Sequence, residues 1–306
     1  LCVHQSSARG TVKDKATFKV EEDVSALRKA IEGIGTTEKT LIEVLTQRSN
    51  AQRQLTAKAY EKATGRVSKC TFKILSQSIY VSLNIPPSDI RTTESTLTEI
   101  FASRSNRQIK ALSEAYLAET GRSMIHDLQS EVSGDYGKAL LILAEGKRDE
   151  STNVDAAKAK ADAKALYEAG EKKWGTDEGK FIDILCHRSI PQLRQTLVEY
   201  KNISKKTLQE SIESEMSGEL EKLLVAVVKC VKNVPAYLAE RLFKSMKGAG
   251  TTESTLIRII TSRSEIDLLD IRAEYKKLFG YTLYSQLESE VSGSFGDTLK
   301  QLCGQD

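Results

Sequence analysis

The sequence predicts an all-α protein made of four copies of one helical unit. Two observations predict this fold class. First, the same residue types recur at the same distances after four threonines, Thr36, Thr92, Thr176 and Thr251. Second, apolar residues recur at helical spacing within each unit, as in ESTLIRIITSR at residues 253–263, and the two-residue alternation of a β-strand is nearly absent.

The recurring residues define the unit. Each threonine is followed by Glu two residues later, by an apolar residue at five, by an Arg-Ser pair starting at twelve and by Tyr at twenty-four. Chance does not place such residues identically four times, so we interpret them as an internal repeat. The arginines are Arg48, Arg104, Arg188 and Arg263, and the tyrosines are Tyr60, Tyr116, Tyr200 and Tyr275.

Each unit is expected to contain about five short helices, one before the threonine and four after it. Gly or Ser-Gly marks the helix ends, as in YKKLFGYTLYSQLESEVSG at residues 275–293. One unit can bury only a small core, so we expect the units to stack. The predicted divisions are an N-terminal tail at 1–19, repeat one at 20–86, repeat two at 87–145, a polar linker at 146–161, repeat three at 162–233 and repeat four at 234–306.

The composition argues against several classes of protein. The chain has 45 basic and 42 acidic residues and a formal net charge of +3, which is unlike the strong basic excess of a nucleic-acid binder. It contains no apolar run long enough to span a bilayer, and its first residues lack the apolar core of a signal peptide. The five cysteines are scattered and form no CxxC pattern, which favours reduced thiols in a cytosolic protein.

A glycine loop and a distant carboxylate recur together. Two glycines stand close together in MKGAGT at residues 246–251, where a simple helix cap would use one. In repeats two, three and four, a Glu lies thirty-nine residues after the threonine, just before Ser-Gly. Ca²⁺ prefers such carbonyl and carboxylate oxygens, and no EF-hand pattern is present. We therefore interpret the pair as a calcium site, with a plain helix cap as the alternative.

These motifs resemble the annexin repeat. The resemblance is carried by MKGAGTTESTLIRI with SEVSG, by GEKKWGTDEGKF with SEMSG, and by RGTVKDKATF before repeat one. It covers nearly the whole chain, and repeats three and four look closest to the vertebrate annexins of the III, IV and V kind. The resemblance implies five helices per repeat in a slightly curved disc, with calcium loops on its convex face.

The resemblance also implies the calcium ligands. Repeat four offers the carbonyls of Met246, Gly248 and Gly250 with the carboxylate of Glu290, and repeat three offers the carbonyls of Gly170, Lys173 and Gly175 with that of Glu215. Trp174 sits at the tip of the third loop, and Lys172 and Lys247 flank the two loops; all three are candidate membrane contacts. The alternatives are that the indole folds back into the protein and that the lysines are solvated residues at helix ends.

The first two sites are each incomplete. Repeat one has a loop with Ile31, Gly33, Gly35 and Thr36, but Leu75 stands where the acid is expected. Repeat two has the acid, Glu131, but no glycine loop, and the sequence from 67 to 91 departs from the pattern and is nineteen residues short. A splice form, a frame shift and a sequence error all remain open. Weaker metal binding is expected at these incomplete sites, that is, at the repeat-one loop residues and at Glu131. Weaker secondary sites are also expected at Glu38, Glu178 and Glu253, unless these acids only complement helix dipoles.

The sequence favours reversible, calcium-dependent binding to anionic phospholipid. The expected protein is a cytoplasmic monomer that becomes a peripheral membrane protein with calcium, with room for a protein partner at the N-terminal tail and for self-association on the membrane. The alternative function is a helical-repeat scaffold for proteins with partly decayed calcium sites. An enzyme is disfavoured because P-loop, GxSxG and HExxH motifs are absent, and because Cys186 and His187 are adjacent on a predicted helix and so point to different faces.

Overall fold

The computed structural model describes residues 9–32, 38–65, 94–171, 175–247 and 251–305. These residues form seventeen α-helices, and no strand occurs within these ranges. The helices are α1 (Val20–Glu32), α2 (Glu38–Thr46), α3 (Asn50–Thr64), α4 (Glu94–Ser103), α5 (Asn106–Thr120), α6 (Met124–Glu131), α7 (Gly134–Ala144), α8 (Ala156–Ala169), α9 (Glu178–His187), α10 (Ile190–Ser204), α11 (Leu208–Glu215), α12 (Gly218–Lys232), α13 (Val234–Met246), α14 (Glu253–Arg263), α15 (Leu268–Phe279), α16 (Leu283–Glu290) and α17 (Gly293–Cys303).

Five helices are present in each of repeats three and four, as predicted. Repeat three contains α8 to α12, and repeat four contains α13 to α17. The helix α8 begins at Ala156, so the last residues of the predicted linker at 146–161 are helical. The described part of repeat one holds α1 to α3, and that of repeat two holds α4 to α7. The unusual stretch from 67 to 91, with Leu75, lies outside the described residues.

The recurring Arg-Ser pair has a structural role in each described repeat. In repeats one, two and three the serine is the N-cap of the third helix, and its side chain accepts a hydrogen bond from the backbone N–H three residues later. A Gln at that position completes a capping box at Ser49 and at Ser105. In these three repeats the pair therefore separates one helix from the next, whereas in repeat four Ser264 is the C-cap of α14 and Asp267 is the N-cap of α15.

In repeats one and three the arginine of this pair holds the first helix of its own repeat in place. Arg48 binds both carboxylate oxygens of Asp23 on α1, each at 2.7 Å, and both side chains are buried. Arg188 binds both oxygens of Asp162 on α8, at 2.8 and 3.1 Å. Such two-pronged pairs fix geometry as well as charge.

The chain divides into two compact units, each of which joins two repeats. One unit is Ile85–Tyr237, with repeats two and three, and the other is Leu1–Asn84 with Leu238–Asp306, with repeats one and four. In the first unit the packing is reciprocal, because α4 packs on α12 while α9 packs on α7. In the second unit, α2 of repeat one packs on α17 of repeat four, as α4 packs on α12 in the first unit.

The start of the described chain lies along repeat four. The Val12 N–H donates to the carbonyl of Ser264 at 2.9 Å, and the Leu269 N–H donates to the carbonyl of Arg9 at 3.0 Å. Only glycine fits between them, because a Cβ at Gly10 would lie 2.4 Å from the Ser264 carbonyl oxygen. Residues 1–8 of the predicted tail lie outside the described residues.

Candidate functional site

Three short helices carry the predicted acids at their C-terminal ends. α6, α11 and α16 each have eight residues, and their last residues are Glu131, Glu215 and Glu290. All three glutamates are exposed. The C-terminal end of a helix presents carbonyl groups without helical partners and carries partial negative charge, so an acid there adds to a cation-attracting position. The SEVSG and SEMSG segments are therefore helix ends, as the sequence predicts.

In repeat three the structure brings the end of the loop to the acid. The Thr176 hydroxyl donates to the main-chain carbonyl of Glu215 at 3.2 Å. The Asp177 N–H donates to the carbonyl of Ala169, the last residue of α8, at 2.9 Å. Gly175 has a φ of +82°, which favours glycine. The ends of α8 and α11 thus meet at one loop, although Lys172, Lys173 and Trp174 lie outside the described residues.

In repeat four the loop is closed in a similar way. The Thr252 N–H donates to the carbonyl of Ser245 in the last turn of α13, at 2.8 Å. Met246 ends that helix with a buried side chain, and the ammonium of Lys247 lies 5.4 Å from the centre of the Phe243 ring. The carboxylate of Glu290 accepts a hydrogen bond from the Gln286 amide at 2.8 Å. The candidate ligands Gly248 and Gly250 lie outside the described residues.

The incomplete sites are only partly described. In repeat one, Ile31 lies in the last turn of α1, whereas Gly33, Gly35 and Thr36 lie outside the described residues. In repeat two, Glu131 ends α6 in the same way as the acids of repeats three and four. A metal role at these positions stays a prediction.

The acids two residues after each threonine start helices. Glu38, Glu178 and Glu253 are the first residues of α2, α9 and α14, where a carboxylate complements the positive helix end. The Glu38 carboxylate also accepts a hydrogen bond from the Ser294 hydroxyl. These positions favour a role in which each carboxylate stabilises the positive end of its helix. Secondary metal binding at these acids stays a prediction.

The donor set in repeat three fits a hard cation. Within the described ranges, no three His, Cys, Asp or Glu residues converge as a metal cluster. A cation would therefore depend on main-chain oxygens. The carbonyls of Gly170 and Gly175, at the ends of one loop, are oxygens of the kind Ca²⁺ prefers, and Glu215 adds a carboxylate.

Sequence reasoning missed one polar side chain in this loop. Glu171 follows Gly170 directly and accepts a hydrogen bond from the Ser211 hydroxyl at 2.9 Å. It also pairs with Lys206, whose ammonium lies 3.0 Å from the carboxylate. Neither partner is near in sequence, and the loop of repeat four, residues 246–250, contains no acid, so the repeat pattern gave no signal.

The Cys186–His187 pair does not resemble a nucleophile with its base. Cys186 is buried in α9, and burial raises the pKa of its thiol to about 12. The His187 ring is half exposed, and its Nδ1 lies 3.0 Å from the Asp183 carbonyl. The thiol would therefore stay protonated at neutral pH, as a structural cysteine does.

Comparison with known proteins decides the family. The annexin family model matches residues 22–67, 88–143, 161–227 and 237–302, one segment in each predicted repeat. The chain belongs to the annexin family. The first two matches leave residues 68–87 between them, within the stretch where the repeat pattern fails. The predicted all-α fold with four repeats is confirmed.

Similar annexins cover almost the whole chain. Human annexin A3 is 51% identical over 314 residues, with 97% of each chain covered, and human annexin A4 is 43% identical, with 97% of this chain and 98% of the relative covered. The structure of annexin III is similar with a TM-score of 0.90 and 49% identity, covering 97% and 98% of the two chains. Calcium-bound annexin (Sm)1 is similar with a TM-score of 0.81 and 31% identity, covering 97% and 93%.

The family gives this annexin its general function. Annexins bind phospholipid membranes in a calcium-dependent manner and are generally binding proteins rather than enzymes. Among the described helices, none is both long and apolar enough to cross a bilayer.

Proposed function

We propose that this annexin binds anionic phospholipid reversibly through the calcium sites of repeats three and four. One observation supports the proposal most: the Thr176 hydroxyl bonds to the Glu215 carbonyl, so the loop and its remote acid adjoin. The site thereby combines two helix C-terminal ends, glycine-rich backbone and an exposed carboxylate.

The residues divide into ligands and membrane contacts. The carbonyls of Gly170, Lys173 and Gly175 with Glu215, and those of Met246, Gly248 and Gly250 with Glu290, would hold Ca²⁺. When bound, Ca²⁺ supplies positive charge and coordination positions open to lipid phosphate oxygens. Lys172 and Lys247 add attraction of about 1 kcal/mol each to an anionic leaflet.

The cellular setting follows from this reversible attachment. We propose a cytoplasmic monomer that moves to a membrane surface as calcium rises. The modest net charge of +3 gives little attraction to lipid by itself, so removing calcium should release the protein. A protein partner at the tail and self-association on the membrane belong to the same proposal.

Sedimentation with phosphatidylserine vesicles tests the proposal. The protein should pellet with vesicles in calcium and return to the supernatant in excess chelator. Neutral phosphatidylcholine vesicles are the control for lipid charge. Pelleting that continues unchanged in chelator would refute the proposal.

The fluorescence of Trp174, the single tryptophan of the chain, gives a second and local measure. If this indole reaches the membrane interface, its emission should shift to the blue only with calcium and anionic vesicles together. A shift with calcium alone would report a change in the loop without membrane contact.

A protein-binding scaffold is the second candidate. The observation that favours it is the loss of one half of the calcium site from each of repeats one and two. A scaffold should be indifferent to Glu215→Gln and Glu290→Gln, whereas calcium-dependent lipid binding should weaken in both variants.

A further inference from the structure

Glu171 is held more firmly than a loop residue at the protein surface needs to be. Its side chain is only 18% exposed. One carboxylate oxygen accepts from the Ser211 hydroxyl at 2.9 Å, and the Lys206 ammonium lies 3.0 and 3.3 Å from the two oxygens. Hydrogen bonds to an ionised group are stronger than neutral ones, so these contacts restrain the start of the loop.

Both partners belong to the segment that carries the calcium-binding acid. Lys206 lies in the turn before α11, and Ser211 lies within α11, one helical turn before Glu215. Ser211 is 1% exposed, so its hydroxyl is a fixed part of the core rather than a mobile surface group. Glu171 therefore bonds the loop directly to the helix that presents Glu215.

The other end of the loop is bonded to the same helix. The Thr176 hydroxyl donates to the Glu215 carbonyl, while Glu171 is bonded at Ser211. The candidate ligand Lys173 lies between these two anchors in the chain. Ordering a free loop on binding costs conformational entropy, and two anchors remove much of that cost before the cation arrives.

Repeat four uses the equivalent positions differently. Its loop, residues 246–250, contains no acid, and the ammonium of Lys247 contacts the Phe243 ring of α13, the helix that leads into the loop. Gln286 stands at the position of Ser211, thirty-five residues after the repeat threonine, and it donates to Glu290 itself. The described contacts thus tie loop three to the acid-bearing helix and loop four to its own preceding helix.

We propose that Glu171 is a positioning residue of the third calcium site, which clamps the loop to α11 so that loop carbonyls and Glu215 are held together in the calcium-free protein. This inference rests on the proposed calcium site of repeat three. The clamp would assemble site three before calcium binds. In site four the described bond is instead between Gln286 and Glu290 of the same helix.

Calcium titration by calorimetry without lipid tests the clamp. A Glu290→Gln background removes the carboxylate of site four, so that calcium binding reports site three. Adding Glu171→Ala should weaken calcium binding about tenfold, the lower end of what loss of an outer-shell partner costs a metal site. Ser211→Ala, which removes only one hydroxyl, should weaken it less but in the same direction.

Matched variants separate positioning from simple damage. Glu219→Ala breaks another Glu–Lys pair on the same unit, with Lys222 at 2.6 Å, and should leave calcium affinity unchanged. The charge swap Glu171→Lys with Lys206→Glu should recover part of the affinity that Glu171→Lys loses. Amide hydrogen exchange in residues 170–176 of the calcium-free protein should speed up in Glu171→Ala and not in Glu219→Ala.

The outcomes are distinguishable. If the Glu290→Gln protein takes up no calcium, both the clamp and the proposed third site are wrong. If that protein binds calcium and Glu171→Ala binds equally tightly, the site stands and the clamp is overturned. Equal losses in Glu171→Ala and Glu219→Ala would also overturn it, because the effect would then be general.

Discussion

Repeats two and three have nearly the same helical frame but different sites. Their second helices both have ten residues, their third helices fifteen and their fourth helices eight, and each fourth helix ends in a glutamate. Only repeat three has the glycine loop next to that acid. The comparison teaches that the helical frame does not depend on the glycine loop, and it predicts that a helix-end glutamate without that loop binds calcium more weakly.

The two repeats also differ in how their recurring tyrosine is used. In repeat two the Tyr116 hydroxyl donates to the Asp127 carboxylate at 2.6 Å. In repeat three Ser211 replaces that aspartate, and its own hydroxyl is donated to Glu171 in the loop. The Tyr200 hydroxyl is buried beside Ser211 but not in hydrogen-bonding geometry. The same position, thirty-five residues after the repeat threonine, therefore bonds to a neighbouring helix in repeat two and to the glycine loop in repeat three.

The largest expected effect concerns the frame of repeat three. Asp162→Ala leaves the Arg188 guanidinium without the carboxylate that binds it at two points. Breaking such a pair should lower the free energy of unfolding by about 3 kcal/mol, at the low end for buried pairs because Arg188 is 24% exposed. Chemical denaturation followed by circular dichroism measures it.

The control for this frame prediction lies in repeat two. Asp135→Ala removes an exposed pair with Lys138 and should cost less than about 1 kcal/mol. Equal effects of the two substitutions would contradict the structural role given to Asp162.

The next effect concerns the acids themselves. Glu215→Gln should raise the calcium concentration for half-maximal vesicle binding about tenfold, or about 1.4 kcal/mol, because a neutral amide is a poorer calcium ligand. Glu131→Gln should shift it much less, because repeat two lacks the glycine loop. A larger shift for Glu131→Gln would mean that the acid functions without its loop.

A smaller effect is expected in the loop of repeat three. Gly175→Ala forces a residue with a Cβ to adopt a φ of +82°, at a cost of about 1 kcal/mol, although among the described residues no atom lies within 4 Å of that Cβ. Calcium affinity at site three should fall while the melting temperature changes little. Gly179→Ala in α9 is the matched control and should be neutral or slightly stabilising.

The smallest effects concern the two tyrosines. Tyr116→Phe loses a bond to a carboxylate and should cost about 1 kcal/mol, whereas Tyr200→Phe removes a buried hydroxyl without a well-formed bond and should be neutral or slightly stabilising. The Tyr116 hydroxyl also holds the pKa of Asp127 below its ordinary value of 3.8. The loss in free energy of unfolding caused by Tyr116→Phe should therefore be greatest above pH 3.8. It should become smaller as the pH falls through the lowered pKa of Asp127 in the folded protein. Denaturation midpoints at several pH values check both.

Much of the frame could be predicted because its signals are local. Helical spacing of apolar residues, the Arg-Ser pair and the glycines give helices and repeats from neighbouring residues alone. The segment before Ser-Gly likewise indicates that Glu215 and Glu290 end helices. The glycine loop with its acid was recognisable because it recurs at a fixed distance.

The contacts that hold the site together could not be predicted in this way. Glu171 contacts Ser211 of α11 and Lys206 in the turn before it, and the Asp162 partner of Arg188 lies on an earlier helix. Such pairs depend on how helices pack against each other, which spacing along one helix does not specify. The loop of repeat four, residues 246–250, also contains no acid, so comparison between repeats hides Glu171.

A crystal structure with calcium soaked in tests the central claim most directly. Calcium should appear in repeats three and four about 2.3 to 2.6 Å from the carboxylates of Glu215 and Glu290 and from carbonyls of the adjoining glycine loops, with lower occupancy at Glu131. Calcium-soaked crystals in which both carboxylates point away from these loops, or in which the ion binds equally at Glu131, would contradict it.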